Sequence, residues 1–267
     1  MPSTYDTPRV RAELEPVWRV HYVSTCRSTN DLAARMRREG RLFAPAVVVT
    51  PRQTAGRGRG GNRWVSDPGT MTATFALPVD AGDAPHQLPI VAGLAVRDAL
   101  AGLGADGGGR VNGVELKWPN DILVGGKKLA GLLCERVENV DLVGVGVNVS
   151  TRVGRLPKAV RERATSLELA GCGATVTEVL LAVAGALRRA TRDREPFAST
   201  LRRYDVHHHL VGRMVTVRTS AQETVSGVCN GLDGTGRLLL RAAEGAGGAV
   251  GGAGTLHRLI AGQVISY

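Results

Sequence analysis

"VELKWPNDILVGGKKLAGLLCERV", residues 114–137, contains the features that decide the fold. Two apolar, strand-like runs flank the "GG" pair, a pattern that predicts a β-hairpin. Ahead of the hairpin, Pro119 and Asn120 predict a tight turn that projects Lys117 and Asp121 from a rigid frame. Taken alone, Lys117 is also compatible with a surface strand position and Asp121 with a turn cap. The stretch therefore predicts β-structure with a tight turn that projects a cation and a carboxylate.

The rest of the chain alternates between helical and strand-like patterns. A Ser28 N-cap with Asp31 predicts a capping box at the start of the first helix. Strand patterns occur at 17–24, 44–50, 69–79 and 140–150, and helical patterns at 28–40, 87–104, within 160–170, at 175–194 and through about 205. From 213 onward, short strands separated by glycine turns predict a small β-barrel, with a flexible hairpin tip or a loop at 244–255. We expect an α+β protein in which helices flank a mixed central sheet.

Charge and lysine usage narrow the function. The 267-residue chain has a net charge of +10, spread along its length. Only four of its 34 basic residues are lysines, and three of these lie between 117 and 128. Lysine is a slender point charge, whereas arginine is a planar fork. The lysine cluster therefore indicates sites where the fork does not fit.

Other features of the sequence predict a cytoplasmic protein. The four cysteines (Cys26, Cys134, Cys172 and Cys229) are far apart, as expected for reduced thiols. The N-terminal residues carry no secretion signal. No apolar run is long enough to span a bilayer, so we expect no membrane association.

The stretch "TAGRGRGGNRW", residues 54–64, contains a G-x-G-x-x-G pattern. A dinucleotide-binding turn requires a helix after the third glycine, but "NRWVSDPGT" is turn-rich, so that interpretation is disfavoured. Three others stay open: a solvated basic loop, a nucleic-acid-binding arm, and a loop that closes over a phosphate. A nucleic-acid arm needs aromatic stacking partners, and only Trp64 is nearby. Glycines that expose backbone N–H groups, next to Arg57 and Arg59, suit a phosphate.

Five motifs in order, "STN", "GRGRGGNRW", "KWPND", "KKLAG" and "GVGVNV", resemble the biotin protein ligase family. The resemblance covers 28–149 by motif and the C-terminal β-module by layout. It implies a class II synthetase-like ligase domain over 17–210 and an SH3-like β-domain over 211–267. It further implies a monofunctional ligase without the N-terminal DNA-binding domain that some members carry, and no specific DNA binding.

The resemblance also implies which residues bind biotin. "STN" would line the biotin pocket. The "GRG" segment would become ordered over the reaction intermediate, biotinyl-5′-adenylate. The biotin-binding set is Ser28, Thr29, Asn30, Gln53, Arg57, Gly58, Arg59, Lys128, Gly131 and Gly144.

A second set is implied for ATP and catalysis. Lys128 would reach both the biotin carboxylate and the α-phosphate, and it forms the catalytic group with Arg59 and Asp121. Asp121 would accept a proton from the incoming lysine, and with Asn120 it would hold Mg²⁺. The ATP- and phosphate-binding set is Arg57, Arg59, Trp64, Lys117, Asn120 and Asn148.

The activity implied is ATP-dependent formation of biotinyl-5′-AMP, followed by transfer of biotin to a lysine of a carboxylase carrier domain, such as that of acetyl-CoA carboxylase. The substrates would be biotin and ATP with Mg²⁺, and the enzyme a monomer or weak homodimer. Two alternatives remain: a lipoate or octanoate ligase of the same fold, and a non-enzymatic nucleic-acid-binding module. The "HHH" run at 207–209 is interpreted as a helix end or linker rather than a metal site.

Overall fold

The computed structural model describes residues 5–267 except 81, 83, 105–108 and 243–253. Most of the loop expected at 244–255 therefore lies outside the described residues. The helices are α1 (Thr7–Leu14), α2 (Thr29–Arg38), α3 (Leu88–Ala101), α4 (Lys158–Arg161), α5 (Val176–Arg192) and α6 (Phe197–Val206). The strands are β1 (Arg19–Tyr22), β2 (Ala46–Val49), β3 (Gly56–Arg57), β4 (Arg63–Trp64), β5 (Thr70–Pro78), β6 (Val114–Lys117), β7 (Asp121–Val124), β8 (Lys127–Val137), β9 (Val140–Asn148), β10 (Met214–Arg218), β11 (Thr224–Leu232), β12 (Leu238–Arg241), β13 (Leu256–Leu259) and β14 (Gln263–Ser266).

Seven strands form the central sheet, in the order β1-β2-β5-β9-β8-β7-β6. The β1–β2 pair is parallel and the remaining pairs are antiparallel, so the sheet is mixed. Helices α3 and α5 pack together over one face, while α2 packs over the other against β5, β8 and β9. β9 is buried along its whole length because both faces are covered. The predicted α+β class is confirmed.

Two local features differ from the sequence-based expectation. α1 was not predicted, yet it packs on α5 and contributes Val10 and Leu14 to the main core. A capping aspartate, Asp6, and a proline in its first turn start this helix. The helix expected within 160–170 is the single turn α4, and the backbone that follows it pairs with Lys128 instead.

The hairpin predicted around the "GG" pair is present between β7 and β8. A second hairpin joins β6 to β7 through Trp118, Pro119 and Asn120, and its register places Lys117 opposite Asp121. The predicted turn is present, and since cross-strand partners lie close together, it places the lysine and the carboxylate side by side.

The C-terminal β-module is a five-stranded antiparallel sheet in the order β13-β12-β11-β10-β14. Its buried side chains, among them Val215 and Leu240, belong to the same hydrophobic cluster as the core of the larger sheet. The "HHH" run links the two sheets as expected. His207 follows α6, and Leu116 exchanges backbone hydrogen bonds with His207 and His209, which extends the central sheet beyond β6. None of the described helices has the length and apolar character needed to cross a membrane.

Candidate active site

A cavity of about 890 Å³ opens between the α2 side of the central sheet and the C-terminal sheet. The structure brings almost all of the sequence-predicted residues to it. Those that line it are Ser28, Thr29, Asn30, Gln53, Arg57, Gly58, Arg59, Trp64, Lys117, Asn120, Asp121, Lys128, Gly131 and Gly144. Residues that are more than a hundred positions apart in sequence thus share one cavity.

One end of the cavity is built from uncharged polar side chains at the start of α2. Ser28 caps the helix by accepting a hydrogen bond from the backbone of Asp31 at 3.4 Å, the first half of the predicted capping box. Gln53 Oε1 accepts from the backbone N–H of Thr29 at 2.7 Å and from its hydroxyl at 3.1 Å. Within the part of the chain that the structure describes, Gln53 Nε2 makes no hydrogen bond and remains a free donor.

Asn30 is fixed from several sides. Its Nδ2 donates to the carbonyl oxygen of Leu133 at 3.0 Å and to Glu135 Oε2 at 2.8 Å. The hydroxyl of the fully buried Thr74 donates to Asn30 Oδ1 at 2.6 Å. A Cβ on Gly144 would lie only 2.2 Å from Asn30 Oδ1. Residue 144 is therefore glycine because the amide packs directly against the strand backbone.

The glycine–arginine stretch forms a short β3–β4 hairpin, and β4 rather than a helix follows it. Its tip is a 3-10 turn over Arg59–Gly61, in which Gly60 and Gly61 have φ of 61° and 78°. Residues with a Cβ rarely adopt such angles. The hairpin carries cations over the cavity, and its glycines allow the tight tip.

Trp64, at the end of this hairpin, packs against two glycines of the sheet. A Cβ on Gly146 would lie 2.3 Å from the indole Cε2, and one on Gly131 would lie 3.4 Å from Cζ3. The indole therefore forms a wall of the cavity where the neighbouring strands carry no side chain. Gly146 was not among the predicted site residues, although the alternation in "GVGVN" could have revealed it.

The two loop arginines have different environments. Arg57 donates to Glu135 at 2.8 and 3.0 Å and pairs with Asp31 at 2.8 Å. Arg59 makes no ion pair or side-chain hydrogen bond among the described residues. Burial lowers the pKa of Arg59, with an opposing contribution from Asp121. An unpaired, desolvated guanidinium indicates a place for an anion.

Asp121 lies between the two predicted lysines. Lys128 Nζ is 2.5 Å from its Oδ1, and Lys117 Nζ is 3.9 Å from its Oδ2. Burial lowers the pKa of Lys117, an effect that Asp121 partly offsets. Lys128 Nζ also lies 5.8 Å from the centroid of the Trp64 ring. The lysine-rich segment thus places two ammonium groups and one carboxylate on a single wall.

The two predicted asparagines have structural hydrogen bonds. Asn120 Nδ2 donates to the carbonyl of Leu132 at 2.8 Å, which ties the "KWPND" turn to β8. Asn148 is buried, donates to the carbonyl of Thr165 at 2.9 Å, and is not one of the cavity-lining residues. Its predicted position near adenine remains a prediction.

Residues that the sequence interpretation missed come from distant strands. Thr74 and Glu135 contact the predicted "STN" segment directly, and only the alternation of their strands signals that they face it. Tyr267 places its ring centroid 4.6 Å from Lys117 Nζ and 5.2 Å from the His209 ring. No sequence pattern predicts that contact, because it depends on how the two sheets pack.

The chain matches the models of two protein families. A model of the biotin/lipoate A/B protein ligase family matches residues 22–151, and a model of the biotin protein ligase C-terminal domain matches residues 210–265. The fold and the site therefore define an enzyme of the biotin and lipoate ligase class. The chain belongs to the biotin protein ligase family within that class.

Relatives cover most of the chain. Biotin–[acetyl-CoA-carboxylase] ligase from Paracoccus denitrificans is 34% identical over 76% of this chain and 87% of its own length. The ligase of the same name from Mycobacterium tuberculosis is 34% identical over 84% of each chain. The structure of biotin protein ligase from Aquifex aeolicus in complex with biotin and ATP is 27% identical, with a TM-score of 0.72 over 92% of this chain and 97% of that one.

Proposed function

We propose that this protein joins biotin to ATP to form biotinyl-5′-AMP and then transfers biotin to a lysine of a carboxylase carrier domain. The observation that carries the proposal is the charge of the cavity. Among the described residues, eight Lys or Arg side chains and two Asp or Glu side chains line it, and Arg59 has no partner there. Such an excess of cations in a partly buried cavity fits a polyanionic ligand such as ATP.

The uncharged end of the cavity fits the ureido ring of biotin. That ring offers two N–H donors and one carbonyl acceptor. Asn30 Oδ1 is an acceptor whose amide cannot rotate, since Nδ2 is already bound, and Gln53 Nε2 is a free donor. A site built to pair such groups discriminates against ligands that lack them. The apolar end rings of lipoate and the methyl end of octanoate would leave these groups unpaired.

In the first step an oxygen of the biotin carboxylate attacks the α-phosphate, and the bond from that phosphorus to pyrophosphate breaks. Two anions must approach each other, so cations that cover both lower the barrier. We assign this role to Lys128 and Arg59, and phosphate binding to Lys117 and Arg57. Lys128 is suitable because its slender side chain packs directly on Gly131. A Cβ on Gly131 would lie only 2.9 Å from Lys128 Cε.

In the second step the carrier lysine attacks the acyl carbon of the adenylate and AMP leaves. The attacking amine must lose a proton, and Asp121 is the carboxylate on the lysine-bearing wall. We propose that it accepts this proton after Lys128 turns to the phosphates. We further propose that Trp64 stacks beside the nucleotide and that Asn148 lies near adenine.

Mg²⁺ is proposed as a companion of ATP. Asn120 and Asp121 do not form a metal cage by themselves: Asp121 is engaged by two ammonium groups, and the described residues contain no group of three or more His, Cys, Asp or Glu suited to a metal. Mg²⁺ commonly reaches such sites on nucleotide phosphates with few protein ligands. No step of the reaction is therefore assigned to a metal held by the protein alone.

The partner is proposed from the relatives, whose names specify acetyl-CoA carboxylase. The cationic mouth of the cavity suits an acidic carrier domain. We propose in addition a cytoplasmic location, a monomer or weak homodimer, no specific DNA binding, and the domain limits 17–210 and 211–267.

The test is ATP–pyrophosphate exchange with Mg²⁺ and biotin, lipoate or octanoate in parallel reactions. Exchange that depends on biotin supports the proposal, and a carrier domain incubated with the enzyme should then gain the mass of one biotinyl group. Exchange with lipoate or octanoate in place of biotin would support adenylation as the reaction and would refute biotin as the substrate. Absence of exchange with every acid would refute the enzymatic assignment.

A further inference from the structure

The carboxylate of Glu135, on β8, contacts two separate parts of the site. Its Oε2 lies 2.8 Å from Asn30 Nδ2 and 2.8 Å from a terminal nitrogen of Arg57, and its Oε1 lies 3.0 Å from the same arginine nitrogen. The side chain is 32% exposed, so these hydrogen bonds are partly shielded from water. One residue thus joins the uncharged end of the cavity to the glycine-rich hairpin.

Glu135 determines which way the Asn30 amide points. Both protons of Asn30 Nδ2 are used, one on the carbonyl of Leu133 and one on Glu135. A flipped amide would place Oδ1 against a carboxylate and a carbonyl, and it would place the NH₂ group toward Thr74. Because like polar atoms repel, the observed orientation is held, with the acceptor Oδ1 next to Gly144.

Glu135 also anchors the first arginine of the hairpin. Arg57 is shared between Glu135 on β8 and Asp31 in the first turn of α2. Hydrogen bonds between charged groups are stronger than neutral ones. The base of the hairpin is therefore attached to the sheet, whereas Arg59 at its tip has no such attachment among the described residues.

We propose that Glu135 is a positioning residue that couples biotin recognition to closure of the hairpin over the adenylate. It orients Asn30 for the ureido ring and holds Arg57 at the hairpin base. The contact of Glu135 with Asn30 therefore favours its contact with Arg57, and the reverse also holds. This inference rests on the proposed function, because it assigns the ligand of Asn30 as the ureido ring.

The test compares Glu135→Gln with Asp31→Asn. The second variant removes the other carboxylate that pairs with Arg57 and leaves the hydrogen bonds of the Asn30 amide unchanged. Glu135→Gln replaces a hydrogen bond to a carboxylate with a weaker one to a neutral amide and allows the Asn30 amide to turn, so we expect a rise of about tenfold in the KM for biotin. Both variants should speed trypsin cleavage within 57–63 in the presence of biotin and ATP, and Asp31→Asn should leave the KM for biotin within about twofold, the range typical of surface changes. In an Arg57→Gln background, Glu135→Gln should keep its effect on the biotin KM and lose its effect on cleavage.

Three results would overturn the inference. They are an unchanged biotin KM in Glu135→Gln, equal effects of Glu135→Gln and Asp31→Asn on that KM, or unchanged cleavage in both variants. Thermal melting establishes whether each variant is folded. If Glu135→Gln is not folded, Glu135→Asp replaces it, because it keeps the charge and shortens the side chain. It should change both the KM for biotin and the rate of trypsin cleavage. A wild-type protein without biotin-dependent exchange would refute the proposed function as well, so the two failures are distinguishable.

Discussion

Trp64 packs against Gly146 so closely that a Cβ on the glycine would lie 2.3 Å from the indole Cε2. The indole ring thus packs directly on the backbone of β9, with no room for a side chain at position 146. Since Trp64 lines the cavity on the side of the glycine-rich hairpin, its placement affects the regions that we propose bind biotin and the nucleotide.

Gly146→Ala should displace Trp64 and impair adenylation. A misplacement of about 1 Å near reacting groups can lower the rate about 10²-fold. The rate of biotin-dependent ATP–pyrophosphate exchange measures this effect. Gly154→Ala is the matched control, because nothing lies within 4 Å of a Cβ there. Equal rates for the two variants would show that the indole position is not important for the reaction.

Lys128→Arg should keep the charge and lose activity. Lys128 reaches Asp121 at 2.5 Å along the surface of Gly131, a path with little room for a planar fork. We expect a fall in kcat of about 10² or more, comparable to loss of one preorganised charge contact. Lys158→Arg, in the α4 turn outside the cavity, is the control and should be unaffected. Near-normal exchange by Lys128→Arg would contradict the argument from lysine usage.

The two loop arginines should differ when each is changed to glutamine. Arg59→Gln removes the unpaired cation and should lower kcat for exchange by about 10²–10³-fold. Arg57→Gln removes a cation already neutralised by Glu135 and Asp31, so its smaller effect should appear in the KM values. Steady-state kinetics of both variants separates kcat from KM. Equal losses of kcat would mean that the ion pairs of Arg57 do not persist in the working enzyme.

The KM for ATP should rise at alkaline pH because burial lowers the pKa of Lys117. As pH increases through that lowered pKa, Lys117 loses its proton and its attraction for phosphate. The effect on stability has the opposite sign: between the folded and unfolded pKa values the unfolded chain binds more protons, so folding becomes more favourable as pH rises. Lys117→Met should abolish the alkaline rise in KM, whereas the exposed Lys127→Met should retain it. If the KM for ATP still rises at alkaline pH in Lys117→Met, a group other than Lys117 causes the rise.

The sequence predicted the parts of the site that are local. "KWPND" specifies its own turn, which the sequence predicted, and the register of the two adjacent strands then places Lys117 opposite Asp121. The absence of a helix after the glycine-rich stretch was likewise evident from its turn-rich continuation. These features depend on residues only a few positions apart.

The different states of Arg57 and Arg59 were not predictable in this way. In sequence the two arginines are equivalent neighbours of glycine. Their difference arises because Glu135, 78 positions after Arg57, and Asp31, in a preceding helix, both reach Arg57. The contact of Tyr267 with Lys117 likewise depends on the packing of two sheets. Long-range partners of this kind follow from register and topology, which no short motif encodes.

The backbone bonds between Leu116 and the His207–His209 run have a consequence for how the chain can be divided. β6 is the last strand of the central sheet, and this run covers its open side. A fragment that stops before residue 207 would present β6 as a bare edge, able to pair with another molecule. Such a fragment should self-associate, and a truncation intended to isolate the larger sheet should extend at least through His209.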